Sequence, residues 1–556
     1  MTMSYADAMA AVTAPGGRFE TAEAEIRGAT VTVFRNAPPS LREIVATTRA
    51  RGDDIFLVYE DERWTFTRFA DEVDGLAAAL AERYGIAKGD RVAIGMRNYP
   101  EWIVAFAAIT SIGAISVSLN AWWTEDELDY ALEDCGARVL IADRERLLRS
   151  EAIRKRLGID AIGVRDQTSV DIDRWEDIVI PGAAMPDVHI DPDDDATILY
   201  TSGTTGHPKG AVSTHRSIVQ ALLGFGCRSA VERLRAPATP PSDDALAFIL
   251  VVPLFHVTGC VPVMLSCLAS GLKLVIMYKW DPGRALELIE RERVTNFVGV
   301  PTQNWDLLAA PRFAEHDTSS LRNVGGGGAP APPELVRRMQ SNFPKASPGI
   351  GYGMTETNAY GPQNGGADYI AHPTSTGRAT PILEIEVRDP EGAALPSGER
   401  GEIWFKGPHL IRGYWNKPDD TAEVIVNGWL RSGDIGRIDA EGFVYVEDRA
   451  KDMVLRAGEN VYCAEVEAAL YEHPSVHEAA VFGVPHDRLG EEVAAVVLPR
   501  AGTTVTEAEL QTHVGERLAS FKVPSLITIV DAPLPRNASG KILKRELRDQ
   551  VTARNG

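Results

Sequence analysis

The chain has 556 residues, 44% of them hydrophobic, and a formal net charge of −21. This length exceeds what one hydrophobic core usually serves, so we expect several structural units. The negative charge argues against a nucleic-acid-binding protein, which would carry a basic domain, and an anionic ligand must therefore meet positive charge at local sites.

The sequence favours a cytoplasmic protein with reduced cysteines. Residues 1–14 lack the basic start of a signal peptide, and Asp7 interrupts their apolar stretch. No run reaches the roughly 18 apolar residues of a transmembrane helix. The nearest candidate, residues 261–277, predicts a buried helix, a turn at Gly271 and a strand. The five cysteines show no Cys-x-x-Cys spacing, which argues against a zinc site and favours buried free thiols.

Strand-like apolar runs alternate with helical patterns through most of the chain. Alternation of this kind predicts layered α/β subdomains with largely parallel sheets. Glycine-rich loops follow the strand ends, which is where open α/β sheets bind ligands. The clearest predicted elements are a helix at 101–112 and strands at 91–96, 138–142, 196–200, 272–277 and 295–300.

The pattern changes near residue 383. Short strands separated by turns predict a small β-rich subdomain, and a densely charged segment follows at 448–452. The remainder is long enough for a separate α+β domain. The predicted elements here are strands at 385–387, 401–406, 442–446, 476–484, 493–498 and 526–530, with helices at 464–471 and 506–519.

Residues 200–210 read Tyr-Thr-Ser-Gly-Thr-Thr-Gly-His-Pro-Lys-Gly and form the most informative segment. Glycines allow backbone N–H groups to approach a polyanion, hydroxyls add donors, and Lys209 adds positive charge. The segment therefore predicts a phosphate-binding loop at the end of a strand. It is not a Walker A motif, because Pro208 precedes the lysine and Gly210 follows it. The alternative is an ordinary polar surface loop.

Other loops carry weaker signals. His256 is predicted at the end of an apolar strand, where a histidine is more often a satisfied core residue than a functional one. Four glycines at 325–328 suggest close approach of a flat ligand. Tyr352 lies between two glycines and could stack on a base, and Glu356 could hold Mg²⁺. Residues 432–434 include an aspartate that could accept ribose hydrogen bonds, although such turns are common.

In chain order, these segments resemble the adenylate-forming superfamily, which contains acyl-CoA synthetases, firefly luciferase and the adenylation domains of peptide synthetases. The matching segments are residues 201–210, His256, and residues 351–356, 432–436, 449–458 and 539–541. The resemblance implies an α/β fold with a large N-terminal domain, residues 1–448, whose β-rich subdomain spans about 383–448. A hinge at 449–452 then leads to a mobile α+β lid at 453–556.

The resemblance also implies two half-reactions. A carboxylate attacks the α-phosphate of ATP to give acyl-AMP and pyrophosphate, and a thiol, usually that of coenzyme A, then releases AMP. By this resemblance, Lys541 bridges the carboxylate and the phosphate, Glu356 with Thr201 binds Mg²⁺, and Tyr352 stacks on adenine. The implied catalytic residues are Lys541, His256, Glu356 and Thr205. The implied ATP or AMP contacts are Thr201, Ser202, Gly203, Thr204, Thr205, Gly206, Lys209, Gly328, Ala329, Pro330, Gly351, Tyr352, Gly353, Met354, Thr355, Glu356, Asp434, Arg449 and Lys541.

For the second step, the lid is expected to rotate about Lys451, which withdraws Lys541 and brings a coenzyme A loop to the site. That loop comprises Ala457, Gly458, Glu459 and Asn460. Plant aryl-CoA ligases tend to carry lysines where Leu455 and Ala457 stand, and proline is frequent where Cys463 stands. The resemblance therefore does not extend to contacts with the coenzyme A phosphate or with polar aryl substrates. The implied acyl pocket consists of His256, Val257, Gly259, Val300, Pro301, Thr302, Gly326, Gly327, Tyr352, Met354 and Asn358.

The predicted function is ATP-dependent ligation of a hydrophobic monocarboxylic acid, fatty or arylalkanoic, to coenzyme A. The mostly apolar pocket favours such an acid, because no lysine or arginine is evident to pair with a second carboxylate. ATP, Mg²⁺ and coenzyme A are the implied cofactor and cosubstrates, and a homodimer is the implied assembly. The alternatives are an adenylation domain that loads a carrier protein, a luciferase-like oxygenase and a non-catalytic binding protein. The chain shows no carrier domain after the lysine loop, which argues against the first.

Overall fold

The computed structural model describes residues 3–166, 172–201, 208–235, 245–329, 331–450, 452–457, 459–486, 488–537 and 540–555, with side chains to residue 553. Two eight-stranded sheets account for most of the larger part of the chain, and two five-stranded sheets follow them. An N-terminal hairpin pairs Thr21–Ile26 with Ala29–Phe34. The predicted α/β architecture is confirmed.

The first large sheet carries the strand that precedes the predicted phosphate loop. Six neighbouring strands run parallel, and the edge beside Asp195–Thr201 is antiparallel. All predicted strands of this region occur, with ends shifted by one or two residues. In sheet order the strands are Gly413–Tyr414, Lys209–Thr214, Asp195–Thr201, Ile115–Ser118, Arg91–Gly95, Val139–Asp143, Asp160–Val164 and Asp173–Arg174.

The second large sheet has a parallel centre with an antiparallel strand at each edge. Its glycine-rich strands approach one another closely: a Cβ added to Gly327 would lie 2.8 Å from the carbonyl oxygen of Gly351. In sheet order the strands are Gln363–Gly365, Ser347–Gly351, Asn323–Gly327, Asn296–Gly299, Ala247–Leu250, Lys273–Ile276, Ile55–Tyr59 and Glu62–Thr65.

The third and fourth sheets are smaller and lie later in the chain. The third contains Glu384–Arg388, Gly401–Lys406, Trp429–Ile438, Ile425–Val426 and Val444–Arg449. The strand predicted at 442–446 starts later, because Gly442 has a φ of 82° and belongs to the turn. The fourth contains Glu459–Val461, Val454–Arg456, Gly490–Pro499, Val476–His486 and Leu526–Ile529.

Helices cover the sheets and begin at recognisable signals. Thr124 and Thr506 each form a capping box with a glutamate three residues later. The helix predicted at 506–519 ends earlier, at Gly515. The α-helices are Tyr5–Val12, Leu41–Thr47, Phe66–Glu82, Pro100–Ser111, Glu125–Cys135, Arg144–Arg149, Glu151–Leu157, Trp175–Ile178, His215–Arg235, Ser266–Ser270, Pro282–Glu292, Pro301–Ala309, Pro333–Asn342, Gly366–Ala371, Pro418–Val424, Cys463–Tyr471, Glu507–Gly515 and Lys544–Asn555. The 3₁₀-helices are Thr48–Arg51, Phe313–Glu315, Thr355–Thr357 and Ser520–Lys522, and Gly259–Leu265 is a π-helix.

The core joins the two large sheets. Every residue of Pro100–Ser111 is buried, and its apolar side chains share one hydrophobic cluster with residues of both sheets. The five cysteines, all of them in described regions, are buried and free, as predicted. Within the described ranges, no helix combines the length and the apolar character that a membrane crossing needs.

Candidate active site

The ends of the predicted phosphate loop are held together by two antiparallel strands. Thr201 closes Asp195–Thr201, and Lys209 opens Lys209–Thr214 directly opposite it in the register. The Thr201 hydroxyl donates to the Lys209 carbonyl oxygen at 3.4 Å. The chain therefore turns from strand to strand here, whereas a P-loop leads from a strand into a helix. The predicted contacts Ser202, Gly203, Thr204, Thr205 and Gly206 lie outside the described residues.

Lys209 is held by two partners at the edge of the sheet. Its ammonium forms an ion pair with Asp420 and lies 5.3 Å from the ring centroid of Tyr414. The lysine side chain is 20% exposed and the aspartate 34%, so solvent only partly screens the pair. Sequence reasoning missed both partners, because neither belongs to a recognised motif.

Glu356 is buried near the same edge. It lies in the 3₁₀ turn Thr355–Thr357, and its Oε1 accepts a hydrogen bond from the Tyr414 hydroxyl at 2.7 Å. Among the described residues, no hydrogen bond occupies Oε2, and no cluster of three His, Cys, Asp or Glu side chains could hold a metal. Mg²⁺ commonly takes one or two carboxylates and completes its shell with phosphate oxygens and water. A single buried carboxylate here fits that pattern.

Tyr352, Asp434 and Arg449 form one connected group. Tyr352 follows the strand Ser347–Gly351 and donates its hydroxyl hydrogen bond to Asp434. Arg449 lies opposite Asp434 in the register, and its Nε is 2.9 Å from the other carboxylate oxygen. Burial raises the pKa of Asp434, and the positive charge of Arg449 partly offsets this. Burial also raises the pKa of the Tyr352 phenol, so it is a hydrogen-bond donor at neutral pH.

Lys541, in the last domain, lies within electrostatic range of Asp434 and Arg449. The surrounding protein lowers the pKa of Lys541, and the charge of Arg449 adds to that effect. A Cβ added to the preceding Gly540 would lie 3.0 Å from Val300 Cγ2 and 3.7 Å from the Thr302 hydroxyl. The lysine loop therefore packs against the segment that carries two predicted acyl-pocket residues.

His256 lies in a turn that leads into the π-helix Gly259–Leu265, and not at the end of a strand as predicted. The strand Ala247–Leu250 ends six residues earlier. The Nδ1 of His256 accepts a hydrogen bond from the backbone N–H of Thr258 at 3.2 Å, which leaves Nε2 as the protonated nitrogen. Burial lowers the pKa of His256 to about 4, so the imidazole is neutral at physiological pH.

The predicted acyl-pocket residues do not all present side chains to a pocket. Asn358 is fully buried, where its amide accepts from Ser213 at 2.9 Å and donates to the His409 carbonyl at 2.9 Å. A Cβ on Gly326 would lie 2.8 Å from the carbonyl oxygen of Gly299. Close strand packing therefore requires a glycine at this position, and the approach of a flat ligand stays a prediction. Val257, Gly259, Val300 and Pro301 are buried, and Thr302, Gly327 and Met354 are partly exposed.

The remaining predicted residues occupy two loops. After the strand Asn323–Gly327, Gly328 is exposed with a φ of 77°, and Ala329 is partly exposed. Gly351, Gly353 and Thr355 are partly exposed along the Tyr352 turn. Ala457 has a φ of 52° and is followed by the exposed Glu459 and Asn460. Pro330, Gly458 and Lys451, the predicted hinge residue, lie outside the described residues.

The family of the chain follows from sequence comparison. A model of the AMP-binding enzyme family matches residues 44–415, and a model of the AMP-binding enzyme C-terminal domain matches residues 465–541. The chain belongs to the AMP-binding enzyme family. The predicted adenylate-forming fold is thereby confirmed. The predicted enzyme class, an AMP-forming acid–thiol ligase, is confirmed because the named relatives are CoA synthases and CoA ligases.

Individual relatives span nearly the whole chain. A feruloyl-CoA synthase of Amycolatopsis is 37% identical over 486 residues, covering 86% of this chain and 92% of the relative. A long-chain-fatty-acid–CoA ligase of Mycobacterium tuberculosis is 36% identical over 510 residues, covering 90% and 94%. The o-succinylbenzoate CoA synthetase of Bacillus subtilis, solved with an acyl-adenylate intermediate, is 29% identical with a TM-score of 0.78, covering 92% and 98%.

Proposed function

We propose that this protein joins a hydrophobic monocarboxylic acid to coenzyme A through an acyl-AMP intermediate, with release of AMP and pyrophosphate. The observation that carries the proposal is the packing of the lysine loop at Gly540 against Val300, which places Lys541 within electrostatic range of the Asp434–Arg449 pair. Adenylation builds negative charge at the α-phosphoryl group, and a preorganised cation stabilises that charge most effectively. A lysine from one domain beside the nucleotide group of another supplies such a cation.

In the first half-reaction, a carboxylate oxygen of the acid bonds to the α-phosphorus. The bond from that phosphorus to the bridging oxygen breaks, and pyrophosphate leaves with the electron pair. Tyr352 would flank the adenine, Asp434 would accept from the ribose hydroxyls, and Lys209 would meet the leaving phosphates. Glu356 with Thr201 would hold Mg²⁺, which when bound neutralises charge on the phosphate oxygens. Lys541 would contact both reacting groups.

In the second half-reaction, the thiol sulfur bonds to the acyl carbonyl carbon. The carbon–oxygen bond to AMP breaks, and the thiol proton passes to solvent. We assign Lys451 as the hinge about which the lid turns, so that Lys541 leaves and residues 457–460 approach the thiol. His256 would line the thiol path as a neutral imidazole, because its low pKa makes it a weak base near pH 7.

The acid is proposed from two lines of support. The candidate pocket residues Val257, Val300 and Met354 are apolar, which suits a substrate with one carboxylate at its end. The compared relatives include a synthase named for an aryl acid and a ligase named for long-chain fatty acids. We therefore infer a fatty or arylalkanoic acid. The buried free thiols support a cytoplasmic location for the reaction.

An acid panel tests the proposal. The protein is incubated with ATP, Mg²⁺ and coenzyme A and with decanoate, palmitate, 3-phenylpropanoate, ferulate or malonate, and AMP release is measured. ATP–pyrophosphate exchange without coenzyme A reports the first step alone. We expect turnover with at least one monocarboxylate and not with malonate. Turnover with malonate alone would refute the substrate class, and no exchange with any acid would refute the chemistry.

A further inference from the structure

Tyr414 is fixed between two groups of the candidate site. It lies on the short edge strand Gly413–Tyr414, which pairs with Lys209–Thr214 so that Tyr414 stands opposite Ala211. Its backbone N–H donates to the Thr421 hydroxyl at 2.8 Å, and its side chain is buried. Buried aromatic side chains with anchored backbones have few alternative rotamers. The position of this ring and hydroxyl is therefore set by the fold.

The two ends of the Tyr414 side chain contact different site residues. The hydroxyl donates to Glu356 Oε1 at 2.7 Å, and the ring face lies 5.3 Å from the Lys209 ammonium. The backbone carbonyl of Glu356 also accepts from the N–H of Ile411 at 3.0 Å, which ties the glutamate to the same segment. One short segment thus contacts both the candidate metal carboxylate and the phosphate-loop lysine.

The geometry points to Tyr414 as a positioning residue for the magnesium–triphosphate complex of the nucleotide. Its hydroxyl holds one oxygen of Glu356, so that the other oxygen is presented in a fixed direction to a cation. Its ring makes a cation–π interaction with the Lys209 ammonium, which holds Lys209 next to the phosphate loop. This inference rests on the proposed function, because it takes Glu356 as a magnesium ligand and Lys209 as a phosphate contact.

The hydroxyl contribution is tested by binding and not by turnover. Tyr414→Phe removes the hydrogen bond to Glu356 and keeps the ring. Affinity for a non-hydrolysable ATP analogue is measured by calorimetry in Mg²⁺ and in EDTA. We expect an affinity loss of about tenfold in Mg²⁺, the scale for losing a partner of a metal ligand. In EDTA the affinity should stay within about twofold of wild type, because the phenylalanine ring keeps the cation–π interaction with Lys209.

Tyr84→Phe is a matched control. Tyr84 follows the helix Phe66–Glu82, and its hydroxyl donates to a carboxylate oxygen of Asp173 at 2.6 Å. Loss of this similar hydrogen bond should leave both affinities unchanged. If Tyr414→Phe weakens binding equally in both buffers, or in neither, the positioning role of the hydroxyl is wrong.

A second substitution tests the ring. Tyr414→Leu removes both the hydroxyl and the aromatic face, so it should weaken binding in EDTA as well, by about threefold. If Tyr414→Leu and Tyr414→Phe have equal affinity in EDTA, the proposed cation–π role of the ring is wrong.

Glu356→Gln separates this inference from the proposed function. If Glu356→Gln leaves the Mg²⁺ dependence intact, the magnesium assignment itself fails. If Glu356→Gln abolishes that dependence while Tyr414→Phe has no effect, the role of Tyr414 fails alone.

Discussion

The ion pair between Lys209 and Asp420 should oppose triphosphate binding. A phosphate group that takes up the Lys209 ammonium must displace the Asp420 carboxylate, and that carboxylate also repels the incoming anion. Asp420→Asn removes both effects and keeps the shape of the side chain. We therefore expect this variant to bind ATP and pyrophosphate more tightly than wild type, although a site residue has been changed.

The exposure of the pair sets the size of the effect. The two side chains are 20% and 34% exposed, between the solvent-exposed pairs that contribute little and the buried pairs that contribute most. We assign the Lys209–Asp420 ion pair a free energy of about 1 kcal/mol, near the upper end of the values for solvent-exposed ion pairs. This corresponds to an increase in affinity of about fivefold. Screening by salt should reduce the gain as ionic strength rises.

Calorimetric titration with pyrophosphate measures the effect without catalysis. Asp419→Asn is the control, because Asp419 lies in the same first helical turn and is exposed. Adding Lys209→Met to Asp420→Asn should abolish the gain if it acts through the lysine. Weaker binding by Asp420→Asn, or an equal gain with Asp419→Asn, would refute the competition. A weaker-binding variant would instead mean that Asp420 orients Lys209 for the phosphates.

Further predictions concern the two half-reactions and the hinge region. Lys541→Ala should slow acyl-AMP formation by at least about 10²-fold, with much less effect on thioester formation from supplied acyl-AMP; near-normal pyrophosphate exchange would contradict the role of Lys541. Lys451→Pro should block the second step and spare the first, and equal loss of both would exclude a hinge there. Because His256 stays neutral above its pKa of about 4, the rate ratio of His256→Ala to wild type should be constant from pH 6 to 8.5, as pH profiles will show. Burial raises the pKa of Asp448 to about 6, so its contribution to stability is full below pH 3.8 and falls as the pH rises through 6. Asp448→Asn should remove this loss of stability, which amounts to up to about 3 kcal/mol. The test is to measure the urea unfolding free energies of variant and wild type at several pH values and to follow how their difference changes with pH.

The strands and the family motifs could be predicted because their signals are local. The apolar run at 196–200 predicts a strand, and the glycine and hydroxyl pattern after it predicts a phosphate loop without reference to any distant residue. The close relation of Asp434 and Arg449 could also be expected, since each belongs to a family motif. Their register across two strands fixes the pair at 2.9 Å.

The partners of these motif residues could not be predicted in the same way. Tyr414 reaches Glu356 across 58 positions, and Asp420 reaches Lys209 across 211. No periodicity connects residues so far apart, and only the packing of strands, a helix and a 3₁₀ turn in the folded chain brings them together. The glycine run at 325–328 shows a related limit of sequence patterns. Backbone atoms of adjacent strands are the closest neighbours of Gly325, Gly326 and Gly327, and a sequence pattern cannot distinguish such close packing from the approach of a ligand.

Two cations of the candidate site, Lys209 and Arg449, are each paired with an aspartate, and the two pairs should respond differently to an incoming anion. Lys209 pairs with Asp420 and Arg449 with Asp434, so each positive charge is balanced within the fold. The two pairs differ in burial: the aspartate of the second is 3% exposed and that of the first 34%. A buried carboxylate that loses its partner is left strongly destabilised, whereas a partly exposed one regains water. The Asp434–Arg449 pair should therefore stay intact on nucleotide binding, and Lys209 should be the cation that changes partner.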